Sequence, residues 1–360
     1  MRRKRNPTAA RSVKRLAMRF SALLFACLVP LAAQDQTFRT TVNVVVAPAT
    51  VLDRRGNFVH DLKPSEFRVY DKGVLQDIRI DVSFLPISLV VAIQADGAVD
   101  SVLPRIQRIG PMINAVVAGE QGESAIVSFD HRIQVLQDFT ADPGKLAEGL
   151  KKLRAGSSSS RLIDAVDESV RMLRRRPGER RRVVLLISES RDKGSSGRVR
   201  ETLAAAEFQN VSLYAVNIPR VVTALTQKAP APRPDPIPAT AHGMPAGAAI
   251  TPETTSGIRN YGNVMPAFEE IIRGVKAIFI PNPVEVFTKY TGGKEQNFVN
   301  LKGLEEAIAA IGNELHAQYL ITYTPSNKSE GGYHDIKVVV ERPELTVRAR
   351  PGYWMAAIPQ

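Results

Sequence analysis

Between residues 87 and 216 the chain alternates between two hydrophobic periods. Residues 87–93 form a short apolar run, the mark of a strand covered on both faces. Val99, Leu103, Ile106, Ile109, Ile113 and Val116 follow at helical spacing. Residues 124–129 predict a second strand and 133–136 a short third one. Leu162, Ala165, Val166, Val170 and Leu173 form another helical stripe, and strands at 183–187 and 211–216 bracket a helix of about 199–208. This alternation predicts an α/β fold, a doubly wound and mostly parallel sheet with helices on both faces. Ligands of such sheets sit at the carboxyl ends of the strands, where the strand order reverses.

The flanks have a different texture. Residues 41–46 and 49–52 are β-branched runs, Asp53-Arg54-Arg55-Gly56 is a turn, and Phe67-Arg68-Val69-Tyr70 alternates before Asp71-Lys72-Gly73. Residues 37–82 therefore predict four or five short antiparallel strands. Residues 336–341 and 345–349 predict a closing strand pair. Neither end is large enough to bury a core alone. The expected organisation is one small β-rich unit built from residues 34–85 and 326–360, with the parallel-sheet domain, 86–325, inserted between them.

Inside that domain, residues 229–252 hold seven prolines, which excludes helix and central strand and predicts an extended loop. Helical spacing returns at Met265, Phe268, Ile271, Ile272, Val275 and Ile278. Leu301, Leu304, Ile308, Ile311 and Leu315 give a last helix, with a strand at 318–323 behind it.

The length of 360 residues and 44% hydrophobic content are enough for a full core. The net charge of +12 invites a nucleic-acid reading until it is located. Eight basic side chains and no acid lie in residues 1–33, which leaves +4 on the rest of the chain. Those basic residues precede an apolar run at 20–31 and then Leu31-Ala32-Ala33, the grammar of a secretory signal peptide. The expectation is export to the periplasm or beyond. The mature chain then has no membrane span, because no later segment approaches 18 uninterrupted apolar residues. Cleavage after Ala33 removes the only cysteine, Cys27, and with it any disulfide, thiol nucleophile or cysteine metal site. Lipoprotein processing at Leu24-Phe25-Ala26-Cys27 is the alternative.

A serine-rich loop opens the helix containing Leu162-Ile163-Asp164-Ala165, and a strand ends in Leu185-Leu186-Ile187-Ser188-Glu189. In that order the elements resemble a von Willebrand factor type A domain. The chain is similar, more closely, to the VWFA-related proteins described from Acidobacteria. That resemblance runs through Val51-Leu52-Asp53-Arg54-Arg55-Gly56 and Leu62-Lys63-Pro64-Ser65-Glu66-Phe67. It continues in Tyr290-Thr291-Gly292-Gly293, Gln318-Tyr319-Leu320-Ile321-Thr322-Tyr323 and Arg350-Pro351-Gly352-Tyr353.

The resemblance implies a binding module and not an enzyme, with an extracytoplasmic protein as partner. It also implies a metal-ion-dependent adhesion site on three loops, where an Asp, two Ser, a Thr and an Asp hold magnesium. Magnesium asks for hard oxygen ligands at near-octahedral geometry. The matching positions here are Gln94, Asp96, Ala98, Ser160 and Glu189. Gln94 lacks the charge and Ala98 the ligand atom, Asp96 changes type, and Ser160 and Glu189 are conservative. The expectation is a degenerate site needing no cofactor, with magnesium at Asp96, Ser160 and Glu189 as the alternative. A metal-dependent hydrolase using Asp96 and Glu189 and a purely structural envelope protein are the other readings.

The remaining motifs subtract classes of function. Residues 171–182 carry seven arginines against Glu179 alone, read as a solvated helix end with cations at the negative pole of the dipole. No aromatic platform interleaves them, so nucleic acid is not an expected partner. The five histidines, His60, His131, His242, His316 and His334, show no zinc spacing. No nucleophile elbow or phosphate-cradling loop occurs.

Overall fold

The computed structural model describes residues 44–81, 85–157, 159–219, 223, 282–298, 300–326 and 331–355. The leader with Cys27, the proline-rich segment 229–252 and the helical stripe from Met265 to Ile278 lie outside the described residues.

A six-stranded sheet forms the centre. It contains β5 (Ile87–Gln94), β6 (Glu123–Phe129), β7 (Ile133–Thr140), β8 (Arg181–Ser188), β9 (Val211–Asn217) and β10 (Glu295–Asn297), in the order β10-β9-β8-β5-β6-β7. All pairings are parallel except β6 with β7 at one edge. Every residue of β5 is buried, because helices cover both faces. Leu89, Val91 and Ile93 face one way, against Leu304, Ile308 and Ile311 of a helix at Leu301–Ala317. Val90 and Ala92 face the other way, against Leu162, Val166 and Val170 of a helix at Leu162–Arg174. The period-two alternation of the strand thus meets two different helical stripes.

The segment after β5 departs from the single helix its spacing predicts. It is a 3₁₀ turn at Gly97–Val99, α1 at Leu103–Ile106, α2 at Gly110–Met112 and a π-turn at Ile113–Ala118. Pro104 and Pro111 each occupy one of the first two positions of a new turn, where the missing N–H costs nothing. The apolar positions still reach the core. Period alone registered the buried face and missed the breaks.

The flanks build two four-stranded antiparallel sheets that share one core. β1 (Val45–Leu52) lies between β11 (Tyr319–Tyr323) and β13 (Thr346–Ala349). β2 (Phe67–Asp71) pairs with β12 (Gly332–Val340), which also pairs with β14 (Gly352–Met355). β11 therefore belongs to the flank sheets and not to the parallel sheet, although it follows directly on the last helix. It pairs with β1 on one side and with β4 (Ile78–Asp81) on the other. At the centre of this base Asp71 is fully buried. Its Oδ2 accepts the hydroxyls of Tyr323 (2.9 Å) and Tyr353 (2.7 Å), and its Oδ1 lies 2.7 Å from His334 Nδ1. One carboxylate thus joins β2, β11, β12 and β14.

Arg174 and Arg175 stay exposed at the helix end, as expected, whereas Arg176, Arg180 and Arg181 are absorbed into the structure. Arg176 makes two bonds to the Glu123 carboxylate (2.7 and 2.6 Å), and Arg180 donates to the Ser88 hydroxyl (2.8 Å). Arg181 donates to the Leu315 carbonyl (2.5 Å) and to Gln318 Oε1 (2.6 Å). Gln318 Nε2 in turn reaches Thr50 of β1 (3.1 Å) and the Tyr214 hydroxyl of β9 (3.0 Å). Burial pushes the Arg181 guanidinium below its usual range, so this relay carries a desolvated cation on fixed partners.

Both amino-terminal strands of the base lean on carboxyl-terminal ones. Deleting residues 333–360 removes β12, the long partner of β2, and one partner of β1, leaving β2 paired with the two-residue β3 (Val74–Leu75). Amide exchange over residues 45–71 is expected to rise to near-unfolded rates, as local opening no longer costs global unfolding. Unchanged protection there would show that the amino-terminal strands are held by something else.

Candidate functional site

β5 and β8 are neighbours, and the chain leaves them in opposite directions, from β5 to β6 on one side and from β8 to β9 on the other. This reversal, at the carboxyl ends of the two strands, is where sheets of this kind hold their ligands. Three loops line it, at residues 94–99, 155–161 and 188–197, and backbone bonds fasten each to the next. Gly97 N donates to Ser157 O (2.9 Å), Gly156 N to Ala95 O (2.7 Å) and Lys193 N to Ser160 O (2.8 Å). The approach is close at two glycines. A Cβ at position 156 would stand 1.9 Å from Asp130 Oδ2, and one at position 194 would stand 2.5 Å from Ser159 Oγ.

Gln94, Asp96 and Glu189 come together. Gln94 is the last residue of β5 and fully buried; its Oε1 accepts the Glu189 N–H (2.8 Å), and its Nε2 donates to Asp96 Oδ1 (3.0 Å). The same Oδ1 accepts the Ala98 N–H (3.2 Å), and this is what Ala98 contributes to Asp96, as its methyl has no ligand atom. Asp96 Oδ2 is buried with no hydrogen-bond partner. Burial pushes the Asp96 carboxyl up, against the opposing effects of the Gln94 bond and the Lys193 charge; the Glu189 charge adds to the rise. Glu189 Oε1 accepts the Thr223 hydroxyl (2.5 Å). Ser160 is fully buried and directs its hydroxyl to the Arg191 carbonyl (3.4 Å).

Two participants carry no signal in the resemblance. Lys193 places its Nζ 3.9 Å from Asp96 Oδ2, and Thr223 closes over Glu189. A lysine four residues after Glu189 in a Ser- and Gly-rich loop is visible in the sequence, but nothing local says that it turns inward. Asp130 is a third acid beside the loops. Burial raises its carboxyl, but the amides of Ser157 (3.0 Å) and Arg132 (2.7 Å) and the His131 ring outweigh that and hold it below the usual range. It lines a polar pocket of about 90 Å³ with Arg132, Lys152 and Arg154.

As an oxygen cage for magnesium this set is a poor match. The ion requires near-octahedral oxygen ligation, whereas the Gln94 amide turns an N–H donor toward Asp96 and the Glu189 oxygen already holds a hydroxyl. Among the described residues, no three Asp, Glu, His or Cys side chains converge to hold a metal ion.

The mostly parallel six-stranded sheet, with helices on both faces and its polar loops gathered at the reversal, is the fold that the resemblance implies. The domain is von Willebrand factor type A-like. No family model matches the chain, and no curated protein matches it. Among solved structures it is similar to the conserved hypothetical protein BatB from Bacteroides thetaiotaomicron, at 13% identity and a TM-score of 0.38, over 63% of this chain and 99% of that one. It is also similar to the vWF domain of the type V pili tip protein Mfa5 from Porphyromonas gingivalis, at 20% identity and a TM-score of 0.26, over 30% of this chain and 38% of that one. A third similarity is to proximal thread matrix protein 1 from the mussel byssus, at 8% identity and a TM-score of 0.43, over 68% of this chain and 49% of that one.

Proposed function

We propose that the chain is an exported, non-enzymatic binding module of the VWFA-related kind. Its switch-point loops face an extracytoplasmic protein, in adhesion or envelope scaffolding, without a divalent cation. The observation that carries this reading is the pairing of Asp96 with internal donors. Gln94 occupies one oxygen of the carboxylate and Lys193 stands beside the other, so an ion would have to compete with both for the Asp96 charge. The basic leader at residues 1–33 supports export. The same constellation argues against the hydrolase reading, because one oxygen of each carboxylate already holds donors from within the chain.

Calorimetric titration of the mature protein with magnesium, manganese and calcium is expected to show no binding tighter than the millimolar range, where one site contributes about 4 kcal/mol. A partner captured by crosslinking from the native envelope should stay bound in EDTA. Loss of the partner in EDTA, with Asp96→Ala and Glu189→Ala having the same effect in folded protein, would overturn the cation-free reading.

A further inference from the structure

The Asp96 carboxylate is asymmetric in its surroundings. Oδ1 takes two hydrogen bonds, from Gln94 and Ala98, while Oδ2 is buried and takes none. An ionised carboxylate in that position lacks compensation on one side. What stands on that side is the Lys193 ammonium, 3.9 Å away.

The loop that carries Lys193 is fixed on both sides of it. Arg191 N donates to Glu189 O (2.7 Å), and the Lys193 N–H donates to Ser160 O (2.8 Å). Asp192 accepts the Ile163 N–H (3.2 Å) and the Ser195 hydroxyl (2.5 Å). Gly194 then brings the loop past Ser159, where a Cβ would stand 2.5 Å from the hydroxyl. The lysine side chain is 35% exposed and the aspartate side chain 0%, so the ammonium reaches the buried carboxylate from the solvent side. At 3.9 Å the contact is an ion pair, longer than a hydrogen bond. It therefore supplies charge more than directed bonding.

We infer that Lys193 is the resident cation of this site: its tethered ammonium stands where a bound ion would, balances the buried Asp96 and keeps divalent cations out. The inference rests on the reading of the site as a cation-free binding surface and names the group that makes it so. A tethered charge differs from an ion in one respect that can be measured. It cannot be removed by a chelator, but it can be removed by mutation.

The full chain and four variants, Lys193→Met, Lys193→Arg, Asp96→Asn and the double variant Lys193→Met with Asp96→Asn, are compared by urea unfolding. Lys193→Met is expected to raise the unfolding equilibrium constant about tenfold, as the partner of a buried charge is lost. Adding Asp96→Asn should recover most of that loss, because an amide in place of the carboxylate needs no cation. Lys193→Arg should stay near wild type. Millimolar manganese should shift Lys193→Met toward wild type while leaving wild type and the double variant where they are.

Equal destabilisation of Lys193→Met with and without Asp96→Asn would overturn the inference, leaving the lysine a packing residue. Equal stabilisation of wild type and Lys193→Met by manganese would also overturn it, since an ion would then have its own place. If Lys193→Met does not fold, a folded double variant supports the inference and an unfolded one overturns it. No partner enters these measurements, so failure here leaves the EDTA test of the binding reading standing.

Discussion

Asp71→Ala is expected to lower the stability of the base by about 3–5 kcal/mol, the range for removing one member of a buried charged network. The substitution leaves two tyrosine hydroxyls and a histidine ring nitrogen without the acceptor they share, and each unpaired buried group carries its own desolvation cost. Burial already pushes the Tyr323 and Tyr353 hydroxyls well above the usual phenol range, so neither can recover by ionising. Asp71→Asn keeps an acceptor oxygen and should cost less, about 1–2 kcal/mol. The single tryptophan, Trp354, sits in β14 with its ring 5.4 Å from that of Tyr333. Its fluorescence in a urea titration reports on this region directly. An Asp71→Ala midpoint equal to wild type would show that the network is not what joins the two flank sheets.

Glu207→Gln is expected to act in the opposite direction. Glu207 lies on the helix Val199–Phe208, which packs against β14, and its side chain is buried. Burial pushes its carboxyl up to about 8; the Arg350 charge and the Trp354 backbone act against that rise. The folded protein therefore holds a proton that the unfolded chain releases near pH 4.5. Between those two values the folded state binds more protons than the unfolded one, so stability falls as pH rises through this window and levels off above it. Glutamine resembles the protonated acid and cannot ionise in either state. The variant should match wild type below pH 4.5 and exceed it by about 3 kcal/mol at pH 7. Urea midpoints measured from pH 4 to pH 9 check this, and two parallel curves would mean that Glu207 is not the group responsible.

Much of the architecture was legible because it is written in local periods. The strands β5, β8 and β9 are short apolar runs, and the helix Leu162–Arg174 repeats its apolar face at i, i+3 and i+4. The pairing of the two chain ends was legible for another reason: neither end holds enough apolar residues to fold by itself. What local pattern cannot carry is the identity of a partner far along the chain. β11 reads the same whether it pairs with a parallel sheet or with β1. Asp71 and His334 are 263 residues apart in sequence, and no spacing rule links them. At the candidate site, Gln94, Asp96 and Glu189 were reached through the resemblance, and the structure joins them by direct bonds. Lys193 and Thr223 were not reached, because a type A site has no position reserved for them and their role depends on how the loops fold back.

Among the described residues the chain passes between the base and the parallel sheet at two places, ahead of Ile87 and between Ala317 and Tyr319. The first lies at the amino end of β5, and the candidate site lies at its carboxyl end. One eight-residue strand, about 26 Å long, therefore separates the point where the domain is anchored from the point where a partner would hold it. Tension between the two would run along β5 and load its ladders to β6 and β8 in shear, so that many backbone hydrogen bonds must yield together rather than one after another. On the proposed reading, in which a partner grips the loops, the module would bear load along this strand.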